Sequence, residues 1–294
     1  MELRELGTTG VMVPVIGTGV WRYNGGVEPL RRGIEAGAFL IDTAEVYGTE
    51  EVVGAAVEGF RDRVFIATKV SGDHLRYDEV LRAGEASLRR LGTDHIDLFQ
   101  IHWPSSRVAI SETMSAMEAL VDRKLVRFIG VSNFSLPEMR AAQSALKHYP
   151  LVANQVLYNL ERRDIETDLL SYCQTNQVTI IAYTPLASGG LAHHARYPSN
   201  RRGMRALEAI AADLKKTMGQ VALNWCISHP NVIAIPKSNS ADRVIENCGA
   251  SGWTLSATQV KTLEDAFAPR PLMAAARAAK KKARHFVHYW RPGR

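Results

Sequence analysis

Four side chains in the first third of the chain can act together on a carbonyl group. Asp42 ends the apolar run Phe39-Leu40-Ile41, and Tyr47 follows five residues later. Lys69 closes the run VFIATK, and His102 closes IDLFQIH. A buried carboxylate at the end of such a run needs a cation, because an unpaired buried charge is strongly destabilising. Lys69 is the expected source. An ammonium near a phenol favours phenolate, so the Tyr47 pKa is expected to move from its usual ~10 toward working pH. A general acid is most effective there. His102 can donate a hydrogen bond to a substrate oxygen where negative charge develops. Together the four make a set that polarises a carbonyl and protonates its oxygen, with the hydride or electrophile expected from a cofactor.

All four stand where an apolar run stops, which says what must position them. Short apolar runs occupy 15–19, 39–41, 64–68, 96–101, 126–131, 152–155, 178–182 and 232–235. Helical patterns lie between them, among them 77–91, 110–121, 136–146, 165–175, 204–216 and 220–228. Continuous apolar strands alternating with helices imply a parallel sheet covered on its outer side. Eight such units point to an α/β fold, a closed (β/α)8 TIM barrel, whose catalytic residues sit at the carboxyl ends of the strands. An open doubly wound sheet is the alternative. Residues 3–14 read as an N-terminal β-hairpin turning at Gly7-Thr8-Thr9-Gly10. Gly17 and Gly19 lack the third glycine of a dinucleotide fingerprint, since position 22 is Arg22.

The 294 residues are 46% hydrophobic and 22% charged, enough for one large core. Eight of the 36 basic residues and none of the 30 acidic ones fall in 270–294, so the rest carries 28 basic against 30 acidic. The basic balance belongs to that C-terminal tail, and the barrel gives no electrostatic case for nucleic acid. We expect one barrel domain over 1–269 and a tail over 270–294. Cys173, Cys226 and Cys248 have no zinc or redox spacing, so reduced thiols, no metal and a cytoplasmic location are expected. No signal segment or membrane span is evident.

Other strand ends carry binding chemistry. Ser132, Asn133 and Gln155 place hydroxyl and amide groups after the fifth and sixth strands, and Tyr183 follows the seventh. The 186–190 turn, with Leu186 and Ser188, is small enough for its backbone to approach a phosphate. Lys237, Ser238 and Arg243 follow the eighth strand, where barrels commonly bind phosphate, and a lysine, a hydroxyl and an arginine suit a dianion.

At these residues the sequence resembles the aldo-keto reductase family. GAFLIDTAEVYGTE (37–50), SLRRLGTDHIDLFQIHWP (87–104), GVSNF (130–134), NQVLYN (154–159), AYTPLASGGL (182–191) and IPKSNSADRVIEN (235–247) match family blocks in order. The resemblance covers residues 3 to about 267. It implies an NADPH-dependent reductase of small-molecule carbonyl substrates, with Asp42, Tyr47, Lys69 and His102 as its tetrad. It also implies that Ser132, Asn133 and Gln155 hold the nicotinamide carboxamide, and that Tyr183 stacks on that ring. Lys237, Ser238 and Arg243 would hold the adenosine 2′-phosphate, favouring NADPH over NADH, and Asn247 the adenine. Trp21, Val46 and Trp103 match substrate-pocket positions.

Two other readings stay open: an NADPH-binding regulatory subunit with little turnover, and a barrel isomerase or aldolase forming a Schiff base on Lys69. A monomer or weak homo-oligomer is expected. The tail departs from the family pattern. Residues 274–282 favour helix, and Phe286, Tyr289 and Trp290 can share a helical face. In the family this segment folds over the pocket mouth; the partner of this one is unknown.

Overall fold

The computed structural model describes residues 1–193 and 200–268. The basic stretch 270–294, with its expected helix and its Phe286, Tyr289 and Trp290 face, lies outside the described residues. Two short strands, β1 (Leu3–Glu5) and β2 (Met12–Pro14), pair antiparallel as the expected hairpin. Eight strands follow: β3 (Thr18–Gly19), β4 (Leu40–Asp42), β5 (Phe65–Val70), β6 (Ile96–Ile101), β7 (Val126–Ser132), β8 (Leu151–Leu157), β9 (Thr179–Tyr183) and β10 (Val232–Ile235). They are parallel and lie in chain order from β3 to β10. The ring closes where Ile16 bridges Ala234, with Gly17 N–H donating to Ala234 O at 2.9 Å and Gly19 N–H to Pro236 O at 3.1 Å.

The closure explains the two early glycines. A Cβ on Gly17 would lie 2.7 Å from a Leu40 methyl, and one on Gly19 would lie 2.9 Å from Ile235 O. They permit the first and last strands to meet and make no dinucleotide loop.

Ten α-helices cover the sheet: α1 (Glu28–Glu35), α2 (Glu50–Val57), α3 (Tyr77–Leu91), α4 (Ile110–Asp122), α5 (Leu136–Ala145), α6 (Leu169–Thr175), α7 (Arg201–Leu214), α8 (Met218–Ile227), α9 (Ala241–Cys248) and α10 (Ala257–Phe267), counted among the described residues. The pattern of α3 shows why. Val80, Leu81, Gly84, Leu88 and Leu91 recur at helical spacing and are buried, and Gly92 ends the helix in the left-handed region. Every residue of β5 and β6 is buried, as a sheet covered on both sides requires.

The expected helix over 165–175 is broken. A 3-10 turn (Asp164–Thr167) precedes α6, with Asp168 between them at φ −157°. Glu166 accepts from Tyr158 Oη at 2.7 Å and from Arg163 Nε and Nη2, which holds that turn apart from the helix.

The hairpin plugs the amino-terminal end of the barrel. Leu6 and Val13 pack on Leu40, Phe65, Leu98 and Ile233 inside it. Arg4 donates to the carbonyls of Ile227, His229 and Val232, and Gly7 N–H donates to Thr179 Oγ1 at 2.8 Å. The carboxyl ends of the strands are left as the open face. No helix among the described residues is long and apolar enough to cross a membrane.

Candidate active site

Asp42 is the last residue of β4 and lies between Gly19 of β3 and Ala67 of β5. Ala44 is extended, and a single 3-10 turn (Glu45–Tyr47) then brings the phenol back over the strand. Gly48 ends that turn at φ 65°, a conformation that suits glycine. Two contacts fix the turn: Thr43 Oγ1 lies 2.9 Å from Thr49 Oγ1, and Glu45 Oε1 accepts from Ser71 N–H at 2.7 Å. Lys69 comes from β5, and His102 follows β6 directly, its N–H donating to Val70 O.

Lys69 is fully buried and donates to Asp42 Oδ1 at 2.6 Å and to Thr43 O at 2.8 Å. Asp42 Oδ2 accepts from Gln155 Nε2 at 2.7 Å and Gln100 Nε2 at 3.3 Å. Burial draws the Lys69 pKa below the ordinary lysine range, opposed by the charge and hydrogen bond of Asp42 and by the charge of Glu50. Glu50 is itself buried, accepting from Thr68 Oγ1 and Arg90 Nε at 2.6 Å each. Glu50, the first residue of α2, is therefore an interior carboxylate.

The Lys69 ammonium lies 4.9 Å from the centroid of the Tyr47 ring. The expected lowering of the Tyr47 pKa does not occur. Burial raises it above the ordinary phenol range, and the charge of Asp42 and then Tyr183 raise it further. The physical reason is desolvation of the phenol, while the ammonium that could oppose it is bonded to Asp42. Tyr47 is thus held as a neutral phenol.

Tyr47 Oη and His102 Nε2 are 3.3 Å apart, with their rings edge to face. Desolvation, and then the charge of Lys69, lower the His102 pKa to about 3, so the imidazole is neutral. Its Nδ1 is buried without a partner among the described residues. Trp103 tilts against the His102 ring at 4.3 Å, and Asn133 Nδ2 donates to His102 O at 3.0 Å. Linkage gives a test. An unfolded histidine takes its proton near 6.5 and the folded one near 3, so stability is present above pH 6.5 and lost as pH falls toward 3. One such group gives a slope of at most about 1.4 kcal/mol per pH unit. His102→Gln is expected to flatten the stability profile in that window, as read by urea midpoints from pH 7 to pH 4. An unchanged slope would place the acid sensitivity elsewhere.

Except for Lys69, which lies behind the wall, every expected site residue lines one elongated cavity of about 930 Å³. At its floor are Asp42, Tyr47 and His102. Trp21 and Val46 stand at the mouth, 52% and 51% exposed. Ser132, Asn133, Gln155 and Tyr183 form one wall, already linked to each other. Ser132 Oγ donates to Gln155 O at 3.0 Å, and Tyr183 Oη donates to Asn133 Oδ1 at 2.9 Å. Gln155 was expected to hold an external amide; its own amide nitrogen is engaged by Asp42. Leu186 and Ser188 lie on a loop in which Thr184, Ala187 and Ser188 all have φ near +50°, backbone strain of the kind that gathers at binding sites. Lys237 and Arg243 are exposed at the far end, and neither has an acidic partner among the described residues. Ser238 Oγ accepts from Ser240 N–H, and the buried Asn247 amide has no side-chain partner among the described residues.

Gln100, Thr43, Glu50 and Arg22 belong to this region and are missing from the sequence expectation. Gln100 had a signal, a lone amide inside the apolar run IDLFQI.

Fold and site together define a (β/α)8 barrel with a neutral tyrosine–histidine pair at the strand ends, on the floor of one large cavity. Residues 15–267 match the model of the aldo/keto reductase family, and the chain belongs to that family. Methylglyoxal reductase YeaE of Escherichia coli is 39% identical over 89% of this chain and 93% of its own length. A structure of the thermostable aldo-keto reductase Tm1743 with the inhibitor epalrestat superposes with a TM-score of 0.84 at 40% identity, covering 90% of this chain and 100% of that one. An aldo/keto reductase from Klebsiella pneumoniae in complex with NADP and acetate gives 0.82 at 37% identity, covering 90% and 95%.

Proposed function

We propose that this protein reduces aldehyde or ketone carbonyls to alcohols with NADPH, Tyr47 acting as the general acid. The observation that carries this is the pairing of Tyr47 Oη with His102 Nε2, both neutral, at the floor of the cavity. A carbonyl oxygen accepting from both is polarised and oriented. As charge grows on that oxygen, Tyr47 transfers its phenolic proton to it, giving the alcohol. Tyrosinate is left, and the Lys69 ammonium beneath the ring stabilises it. On this reading Lys69 acts on the phenolate as it forms, and the resting phenol stays protonated. Asp42 holds the ammonium in place. Bound NADPH supplies the hydride.

The donor set fits that cofactor. Ser132, Asn133, Gln155 and Tyr183 would hold the nicotinamide end, and the Leu186–Ser188 backbone would face the diphosphate. Lys237, Ser238 and Arg243 would hold the 2′-phosphate and Asn247 the adenine. Two cations without acidic partners among the described residues, with the Asn247 amide on the same cavity wall, favour a ligand with an additional phosphate and a base. A Schiff base on Lys69 has no support, since its amine is fully buried and bonded to Asp42 and Thr43. Buried Cys173 and Cys226, both free thiols, support a cytoplasmic location.

Turnover of an aldehyde panel with NADPH and NADH in parallel tests the assignment; NADPH binding with no turnover of any carbonyl would refute it. Arg243→Ala is expected to raise the KM for NADPH about tenfold to a hundredfold, the equivalent of about 1.5–3 kcal/mol for a charged hydrogen bond. The KM for NADH should change less than about threefold, a cofactor split that follows from the 2′-phosphate alone. Equal effects on both cofactors would remove Arg243 from the phosphate site.

A further inference from the structure

Tyr47 and His102 reach the cavity floor from different elements, so their 3.3 Å separation depends on what ties those elements together. Tyr47 ends the 3-10 turn after β4, His102 follows β6, and β5 runs between the two strands. One peptide group at the end of β5 spans the gap. Its carbonyl, Val70 O, accepts from His102 N–H at 2.9 Å. Its N–H, on Ser71, donates to Glu45 Oε1 at 2.7 Å, and Glu45 opens the turn that ends in Tyr47. A trans peptide is planar and stiff, and its C=O and N–H point to opposite sides. The Val70–Ser71 peptide is thus a spacer of fixed length between the turn of the phenol and the backbone of the imidazole. Both residues are buried, which shields the two bonds from water.

The turn that follows β5 reinforces the spacer on each side. His74 N–H donates to Ser71 O at 3.0 Å, closing the turn, and His74 Nδ1 then lies 2.9 Å from the same Glu45 Oε1. On the other side, a Cβ on Gly72 would overlap the Trp103 indole nitrogen, and Trp103 tilts against the His102 ring with 4.3 Å between centroids. The bare backbone of Gly72 therefore makes room for the indole that backs His102. Residues 70–74 hold the phenol's turn through Glu45 and the imidazole through Val70 O and Trp103. Among the described residues no lysine or arginine pairs with Glu45; its two contacts converge on one oxygen.

We propose that Glu45 is a positioning residue for proton transfer, holding Tyr47 at hydrogen-bond distance from His102 through the Val70–Ser71 peptide. This rests on the carbonyl-reductase reading above, in which both side chains meet one carbonyl oxygen. Glu45 does not line the cavity, so it acts through Tyr47. What it supplies is reach, an acceptor oxygen at a set distance from the turn. Misplacing a reacting group by about 1 Å is enough to cost about 10²-fold in rate.

The test separates reach from charge, using the full chain with 4-nitrobenzaldehyde and NADPH. Glu45→Gln keeps an acceptor oxygen at the same reach and loses the charge. Glu45→Asp keeps the charge and is one methylene too short for Ser71 N–H. Glu45→Gln should stay within about threefold of the native kcat, and Glu45→Asp should fall about tenfold or more. The KM for NADPH and the thermal midpoint of Glu45→Asp should stay close to native, since the cofactor wall is untouched. In a Tyr47→Phe background, Glu45→Asp should lower the residual rate less than about twofold, because its effect passes through the phenol. A native kcat in Glu45→Asp, or equal losses in the two variants, would overturn the proposal. So would an undiminished loss in the Tyr47→Phe background, or a fall in NADPH binding and thermal midpoint that accounts for the lost turnover. A native protein that reduces no aldehyde would overturn the carbonyl reading itself, a result distinct from any of these variant outcomes.

Discussion

Tyr47→Phe is expected to lower kcat for aldehyde reduction about 10²- to 10⁴-fold, the usual contribution of a positioned general acid. The variant should keep its fold and its affinity for NADPH. Among the described residues the phenolic oxygen's sole hydrogen-bond contact is the long 3.3 Å one with His102 Nε2, so removing it disturbs little packing. The ring itself remains over Lys69. Single-turnover reduction of 4-nitrobenzaldehyde, with a parallel NADPH titration, separates the two effects. Loss of turnover with intact binding is the expected result. Retention of most of the turnover would assign proton delivery to another group, with His102 the nearest. A fall in both, with a lowered melting temperature, would show that the phenol serves the fold.

The strand ends were legible because a barrel turns a one-dimensional fact into a three-dimensional one. Each apolar run that stops at a polar residue delivers that residue to the same rim. Spacing alone therefore groups Asp42, Lys69 and His102, the eight strands follow from the same alternation, and the hairpin follows from its Gly7-Thr8-Thr9-Gly10 turn. What spacing cannot give is which neighbour wins. Lys69 is near both Asp42 and Tyr47, and 2.6 Å against 4.9 Å decides that its charge serves the carboxylate first. Burial of the phenol, which spacing also cannot show, then raises the Tyr47 pKa. Gln155 and Gln100 reach Asp42 across the barrel interior from residues far away in sequence, a pairing that exists only once the ring closes. Glu50 opens α2 and is buried against β5, between Thr68 and Arg90, a placement that its residue type does not announce. Backbone strain at Thr184, Ala187 and Ser188 left no mark in residue type, since none of the three is glycine or asparagine.

The second large effect is expected at the Lys69–Asp42 pair, and it separates stability from chemistry. Asp42→Asn leaves a fully buried ammonium facing a neutral amide, with Thr43 O as its remaining acceptor. Breaking a buried pair this way costs about 3–5 kcal/mol. Lys69→Met leaves Asp42 with the amide donors of Gln155 and Gln100, so its loss should be smaller, about 1–3 kcal/mol for an altered buried polar group. The double variant Asp42→Asn, Lys69→Met removes both charges and fills the lysine's channel with an apolar chain of similar reach. It should recover most of the stability, leaving a coupling of about 2 kcal/mol or more. Thermal midpoints of the four proteins measure this, and additive losses would mean that the pair is not coupled as its geometry requires. Turnover should not follow the midpoints. The double variant lacks the ammonium that meets the tyrosinate, so it should be nearly as stable as the native protein and as inactive as Lys69→Met alone. A double variant that regains both stability and turnover would mean the pair serves only to hold the strand ends together.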